Sequence, residues 1–331
     1  MKFINNEGIT NPRINLAIEE YALKTMDLEE DNIYLLFYVN EPSIIIGKNQ
    51  NTIEEINTDY VEKNNIHVVR RLSGGGAVYH DQGNLNFSFL TKDDGDSFHN
   101  FKKFAQPVIE ALHELGVPAE MSGRNDIQID GKKISGNAQF ATKGRMFSHG
   151  TLMLDSEIEN VVSALKVRDE KIKSKGIKSI RSRVGNINDY LENKLTVEEF
   201  KEVILQHIFS GLDNIPSYKL TDEDWKEIHA ISEERYGNWD WNYGRSPSFD
   251  VEKSHKFPSG LIDVRFNVKK GTIQECRIFG DFFGTEEIND IENALAGSKY
   301  SRESLEEALD DYDLTKYFGQ VDRSEFISML L

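Results

Sequence analysis

The 331-residue chain carries 56 acidic against 39 basic residues, a formal net charge of −17 that argues against non-specific binding to nucleic acid or to an anionic membrane. At 38% hydrophobic with seven prolines it reads as globular, and its length suits a large domain followed by a small one. The single cysteine, Cys276, excludes a disulfide framework and a cysteine metal cluster, and fits a reducing cytoplasm.

The first residues, Met1 to Glu7, lack the apolar run of a signal peptide. The apolar runs Ile33 to Val39 and Ile44 to Ile46 are too short to span a bilayer, so no membrane partner is expected. Asn11 and Pro12 open a helix over Ile14 to Met26. Ile33 to Val39 and Ser43 to Ile46 read as a strand pair around Asn40-Glu41-Pro42, followed by a helix from about Ile53 to Lys63. Asn84 to Thr91 alternates, with Leu85, Phe87 and Phe89 on one face and Asn84, Asn86 and Ser88 on the other, as in a half-buried antiparallel strand. A helix over Phe101 to Leu115 stops at Gly116. Three strands are expected at Asp126 to Ile129, Lys133 to Phe140 and Phe147 to Leu154, the first two joined by a turn at Asp130-Gly131. Helices follow at Val197 to Phe209 and Asp222 to Arg235, the second capped by Thr221. Beyond a boundary near Tyr243-Gly244-Arg245-Ser246-Pro247-Ser248, strands at Leu261 to Val268 and Ile273 to Phe279 precede helical patterns around Ile288 to Ala296 and Leu305 to Tyr312. Cys276 falls in one of those strands and reads as a small core residue.

The most unusual stretch is Arg70-Arg71-Leu72-Ser73-Gly74-Gly75-Gly76-Ala77-Val78-Tyr79-His80-Asp81. Three successive glycines are costly to order, and they suit a backbone that must approach something closely. Converging N–H groups beside an arginine make an anion site, although the same residues would suit a hairpin tip with two solvated arginines. The spacing is neither that of a P-loop nor that of a dinucleotide fingerprint. A second basic run, Lys171, Lys173, Lys175, Lys178 and Arg181 with Arg183 beyond, is broken by Gly176 and serines and reads as a loop rather than a helical face.

The glycine stretch, Ser122-Gly123-Arg124-Asn125-Asp126, Lys133-Ile134-Ser135-Gly136, His149-Gly150-Thr151-Leu152, Lys175-Gly176-Ile177, Ser182-Arg183-Val184 and Trp239, Trp241 and Asn242 together resemble lipoate–protein ligases in order and spacing, over nearly the whole chain. The resemblance implies an α/β (α+β) catalytic domain of the biotin/lipoate-ligase fold over residues 1–245. That domain has a largely antiparallel mixed sheet like that of class II aminoacyl-tRNA synthetases, and a small α+β accessory domain follows over 246–331. It implies activation of lipoate by ATP and Mg2+ to lipoyl-AMP, then transfer to a lysine of lipoyl domains: the acyltransferase subunits of 2-oxoacid dehydrogenases and the glycine-cleavage H protein. By position, Arg71, Gly76, Ala77, Val78, Tyr79 and Lys133 would bind ATP. Lys133, Arg70, Ser73 and His149 would bind lipoate, supported by Gly74 and Gly75, and Lys133 would be the catalytic cation. The segment from about Arg168 to Arg183 would be the adenylate loop.

Chemistry agrees with those roles. A carboxylate attacking ATP brings two anions together, and a compact, mobile lysine can offset the charge that builds. Several residues keep two readings: Lys133 as an exposed strand cation, His149 as a core histidine, Asp126 as a magnesium ligand or a turn residue with Asn125. His80 and Asp81 end the glycine hairpin and stabilise it, and Leu16, Tyr38 and Leu72 are candidates for an apolar acyl groove. A biotin ligase would carry an Arg-rich glycine loop, and an ATP-independent octanoyl or lipoyl transferase would need a cysteine nucleophile in the catalytic domain. A non-catalytic lipoate-binding protein of the same fold also stays open, as do the preference for lipoate or octanoate and the oligomeric state, a monomer included.

Overall fold

The structure is a computed structural model that describes residues 1–29, 32–165, 183–244 and 250–331. In chain order the first strands are β1 (Lys2–Asn5), β2 (Tyr34–Val39), β3 (Ser43–Ile46), β4 (His67–Arg70), β5 (Val78–His80) and β6 (Asn84–Lys92). They are followed by β7 (Glu120–Ser122), β8 (Asp126–Ile129), β9 (Lys132–Thr142), β10 (Arg145–Met153) and β11 (Ser217–Lys219). Eight of these make one mixed sheet in the order β11-β1-β2-β6-β10-β9-β8-β7. The β11-β1-β2 edge is parallel and the rest antiparallel.

Each face of that sheet carries a helical layer, for reasons visible in the periodicity. The helix Phe101–Glu114 presents Phe104, Val108, Ala111 and Leu112 at helical spacing against Phe87, Phe89 and Ile127, beside Phe200 and Ile204 from the helix Val197–Ile208. The N-terminal helix Pro12–Thr25 covers the other face with Leu16, Ile18 and Leu23, packed with Leu36, Phe147 and Ile228. Asn11 caps it by accepting from the Arg13 N–H at 2.9 Å. Both faces of β6 are therefore covered, and Asn84, Asn86 and Ser88 are as buried as the aromatics between them. The alternation marks a buried polar face, not the solvated one expected.

Three other expectations change. β2 and β3 do not pair; β3 lies between β4 and β5 in a separate three-stranded sheet, parallel to β4 and antiparallel to β5. The glycine segment is thus a crossover between two non-adjacent strands rather than a hairpin tip. The helix expected over Ile53 to Lys63 is two short ones, Thr52–Glu55 and Thr58–Lys63. Between them Ile56 turns extended to bridge Leu165, and Asn57 caps the second by accepting from the Tyr60 N–H. The helix Asp222–Ile231 ends in a wider turn over Ser232–Tyr236, which delivers Arg235 and the Tyr236 hydroxyl to Glu20.

The carboxy-terminal part has its own core. β12 (Val251–Phe257), β13 (Gly260–Lys269) and β14 (Thr272–Gly280) form an antiparallel sheet backed by helices Ile288–Leu295, Arg302–Ala308, Leu314–Phe318 and Arg323–Leu330. β12, an exposed edge strand, and the helices Leu314–Phe318 and Arg323–Leu330 had no counterpart among the sequence patterns. The boundary expected at 245/246 lies outside the described residues.

Candidate functional site

One cleft is lined jointly by the glycine segment and by residues of β6, β9 and β10, and its lining mixes apolar groups with cations. Leu16, Tyr38, Ile45 and Val78 supply the apolar part; Arg71 and Lys133 supply charge; Gly75, Gly76 and Ala77 run between them. Of the acyl-groove candidates, Leu16 and Tyr38 line this cleft, whereas Leu72 is buried in the core beside it. The glycines are needed where they stand. A Cβ on Gly74 would sit 2.3 Å from the Phe282 carbonyl oxygen, and Gly75 holds φ at +87°, which favours glycine.

Two adjacent arginines diverge because successive residues of an extended chain point to opposite sides. Arg70 points inward. Its guanidinium donates to the carbonyls of Gly47 (2.9 Å), Lys48 (3.0 Å), Gln50 (2.6 Å) and Trp241 (2.8 Å), and to Thr52 Oγ1 (2.7 Å). Expected to help hold the acyl substrate, Arg70 instead ties segment 47–52 to the helix Trp239–Asn242 and is not among the cleft-lining residues. Arg71 lines the cleft and grips the glycine segment: Nη2 donates to the carbonyls of Gly74 (2.6 Å) and Gly76 (2.8 Å), Nη1 to Ile45 (3.0 Å). Burial lowers its pKa to about 10, so it stays charged at neutral pH.

Ser73 lies behind the cleft surface, hydrogen-bonded to both Arg71 Nε (2.9 Å) and His149 Nε2 (2.8 Å). His149 lines the cleft, and its Nδ1 is 2.9 Å from a carboxylate oxygen of Glu19. His80 also lines it. Its Nδ1 faces the Asn40 side-chain amide at 3.0 Å, and burial, then the Arg71 charge, pushes its pKa down to about 3. His80 is thus a neutral member of the site as well as a strand end. Tyr79 is buried with Ile44 and Val61 and lines a neighbouring depression with Asp81; Gly76, Ala77 and Val78 line the cleft itself.

Lys133 stands at the cleft from β9, its ammonium 2.9 Å from Asp126. Gly136 makes room, since a Cβ there would lie 3.0 Å from the Lys133 Nζ. The Lys133 backbone N–H donates to the Arg183 carbonyl at 2.7 Å, and Gly185 N–H donates back to Lys133 at 3.0 Å. The segment that leaves the adenylate-loop positions is therefore pinned to the lysine's own strand. Lys171, Lys173, Lys175, Lys178 and Arg181 lie outside the described residues, whereas Arg183 is described and exposed. Asn125 and Asn137 close the same side by exchanging side-chain-to-carbonyl bonds at 2.5 and 3.0 Å.

Glu19, Asn40, Asn86 and Asn137 escaped the reading of the sequence. The signal that could have found Glu19 is a carboxylate inside the apolar stripe Leu16-Ala17-Ile18, and it is indeed 2% exposed.

Residues 11–209 match the family model described as the lipoyl protein ligase A/B catalytic domain, and 246–330 match the bacterial lipoate protein ligase C-terminus. The chain is 64% identical to lipoate-protein ligase LplJ of Bacillus subtilis, covering all of both chains. It is 57% identical to lipoate–protein ligase 1 of Staphylococcus aureus, again over all of both. The chain belongs to the lipoate–protein ligase family.

Among solved structures, the fold is similar to that of lipoate-protein ligase A bound with ATP, with TM-score 0.63 and 28% identity over 73% of this chain and 98% of that one. It is also similar to LipL1 of P. falciparum in complex with lipoate, with TM-score 0.78 and 23% identity over 99% and 97% of the two chains. The mixed sheet with an appended carboxy-terminal unit is thus the lipoate–protein ligase architecture.

Asp126 is engaged by Lys133, and among the described residues no group of three His, Cys, Asp or Glu could hold a metal ion. These side chains do not make a protein cage for Mg2+. Cys276 is 1% exposed within the carboxy-terminal core, where burial pushes its thiol pKa up, so it is no acyl-accepting nucleophile. No helix among the described residues is long and apolar enough to cross a membrane.

Proposed function

We propose that this lipoate–protein ligase joins lipoate to AMP in its cleft and then passes the lipoyl group to a lysine of an acceptor lipoyl domain. The observation that carries the reading is one cleft lined both by an apolar set able to take an acyl chain and by two cations able to face phosphate. In the first step a carboxylate oxygen attacks the α-phosphorus, the Pα–O bond to pyrophosphate breaks, and a mixed anhydride forms. Lys133 offsets the charge at the junction of carboxylate and α-phosphate; Arg71 and the backbone of Gly76 to Tyr79 hold the nucleotide. In the second step a neutral lysine amine attacks the acyl carbonyl, AMP leaves with the bonding electrons, and the nitrogen sheds a proton.

Lys133 begins paired with Asp126, so binding exchanges a carboxylate partner for the substrate's oxygens. Mg2+ enters with the ATP phosphates rather than in a cage of side chains. Lys171, Lys173, Lys175, Lys178, Arg181 and Arg183 belong to the loop that retains the adenylate. Residues 1–245 act as the catalytic domain and 246–331 as its accessory. The 2-oxoacid dehydrogenase acyltransferases and the glycine-cleavage H protein are the acceptors, and the reaction is cytoplasmic.

Lys133→Leu should fold, by circular dichroism, yet lose about a hundredfold in lipoate-dependent pyrophosphate exchange. Lys133→Arg should restore little, because a planar fork cannot follow the oxygen as a compact ammonium can. Lys132→Leu is the control and should stay active. Near-normal exchange by folded Lys133→Leu, or an equal loss in Lys132→Leu, would remove Lys133 from the catalytic role. Parallel assays with lipoate, octanoate and biotin read the acyl preference.

A further inference from the structure

Along the cleft wall and behind it, four side chains form one unbroken line. A carboxylate oxygen of Glu19 is 2.9 Å from His149 Nδ1, His149 Nε2 is 2.8 Å from Ser73 Oγ, and Ser73 Oγ is 2.9 Å from Arg71 Nε. Their exposures are 2%, 7%, 1% and 5%. The residues come from the N-terminal helix, β10 and the glycine segment, and the line ends where Arg71 grips the Gly74 and Gly76 carbonyls.

For a singly protonated imidazole, only one polarity satisfies every group. A guanidinium can only donate, so Ser73 Oγ accepts from Arg71. The serine's single proton then goes to His149 Nε2, which must be unprotonated. The imidazole proton therefore sits on Nδ1, facing Glu19, and a carboxylate accepts it. Without the carboxylate, the Nδ1–H loses its charged acceptor and the tautomer is held from the Ser73 side alone. With the proton on Nε2, two donors would converge on Ser73 Oγ and its own proton would lose its acceptor. Glu19 also supplies a buried negative charge opposite the buried Arg71.

We propose that Glu19 is a positioning residue for the nucleotide: through His149 and Ser73 it fixes the Arg71 guanidinium, and so the shape of the Gly74–Gly76 backbone that faces the phosphates. Glu19 itself is not among the cleft-lining residues. The proposal rests on reading the glycine segment as the nucleotide site. Its competitor is that Glu19 merely shapes the acyl part of the cleft by holding His149.

Steady-state pyrophosphate exchange on the full-length protein separates them, with ATP and lipoate varied independently. Glu19→Gln keeps the bulk but removes the charge, and its amide can turn either an acceptor or a donor toward His149 Nδ1. It should raise KM for ATP about tenfold while KM for lipoate moves less than about twofold. The effect should largely vanish in a Ser73→Ala background, since the line is then already cut. Glu20→Gln is the structural comparator, because Glu20 is equally buried on the same helix but bonds Lys24, Arg235 and Tyr236 instead. It should lower the unfolding temperature without a selective change in KM for ATP. Nitrogen NMR of the wild type should find the His149 proton on Nδ1.

Equal rises in both KM values would overturn the proposal. So would a Glu19→Gln effect undiminished in Ser73→Ala, or an Nε2–H tautomer in the wild type. In each of those cases an active wild type leaves the functional reading standing; no ATP-dependent exchange by the wild type would overturn both.

Discussion

His80 departs far from its free chemistry. Buried against Asn40 and near Arg71, it stays neutral until about pH 3, against 6.5 for the unperturbed side chain. Above pH 6.5 both folded and unfolded chains hold it neutral, and it adds no pH dependence. Below that, the unfolded chain takes up a proton that the folded chain refuses, so stability falls as pH drops through the window from 6.5 toward 3. The slope is roughly 1.4 kcal/mol per pH unit from this group. His80→Gln removes the titration, so its urea unfolding free energy should fall less steeply than wild type between pH 6 and 4, whatever its starting value. Parallel slopes for the two proteins would show that His80 takes its proton in the folded state.

Among the elements, the segment from Gly47 to Thr52 is the one most dependent on a single side chain. Its carbonyls at Gly47, Lys48 and Gln50 have turned inward onto Arg70, which also holds the Trp241 carbonyl of the helix Trp239–Asn242. A buried carbonyl without a donor costs about 1–3 kcal/mol, and lysine cannot present the guanidinium's five N–H groups in a fork. Arg70→Lys should therefore destabilise the protein by about 3 kcal/mol or more in denaturant unfolding. A loss under about 1 kcal/mol would mean that the segment finds other donors. Helical periodicity misled at Ile53 to Lys63 because Ile56 leaves the helix to bridge Leu165 and Asn57 caps a second one.

For the whole molecule, the carboxy-terminal unit is built onto the glycine segment rather than hung beside it. Phe282 and Phe283 pack against Gly74 and Gly75, and Gly280 N–H donates to the Asn49 carbonyl at 2.8 Å. Arg265 forks onto both oxygens of Glu54 at 2.5 and 2.6 Å, while Asp263 holds its other side at 2.9 Å. Glu54→Gln should halve that fork and leave a buried guanidinium short of charge, costing roughly 1–3 kcal/mol. Calorimetry should then show the carboxy-terminal unit melting earlier, as a shoulder or a lowered midpoint. A transition superimposable on wild type would remove this ion pair from what joins the two parts.

What the residue order determined by itself was local. Asp130 and Gly131 both take positive φ, at 49° and 76°, as a two-residue hairpin turn requires, and Thr221 caps its helix three residues away. The company of Lys133 and Gly136 on one strand was equally legible, because strand neighbours follow from spacing. Tertiary structure decided which of two adjacent arginines meets the cleft, since an extended chain offers both faces and only packing chooses. It also decided that β3 leaves β2 for β4 and β5, and that the polar face of β6 is covered. Glu19 finds His149 from 130 positions away, and Glu54 finds Arg265 from 211. Such partners carry no periodicity to read: the contacts form only once the hydrophobic layers have brought distant segments together, and until then a buried carboxylate looks like any surface charge.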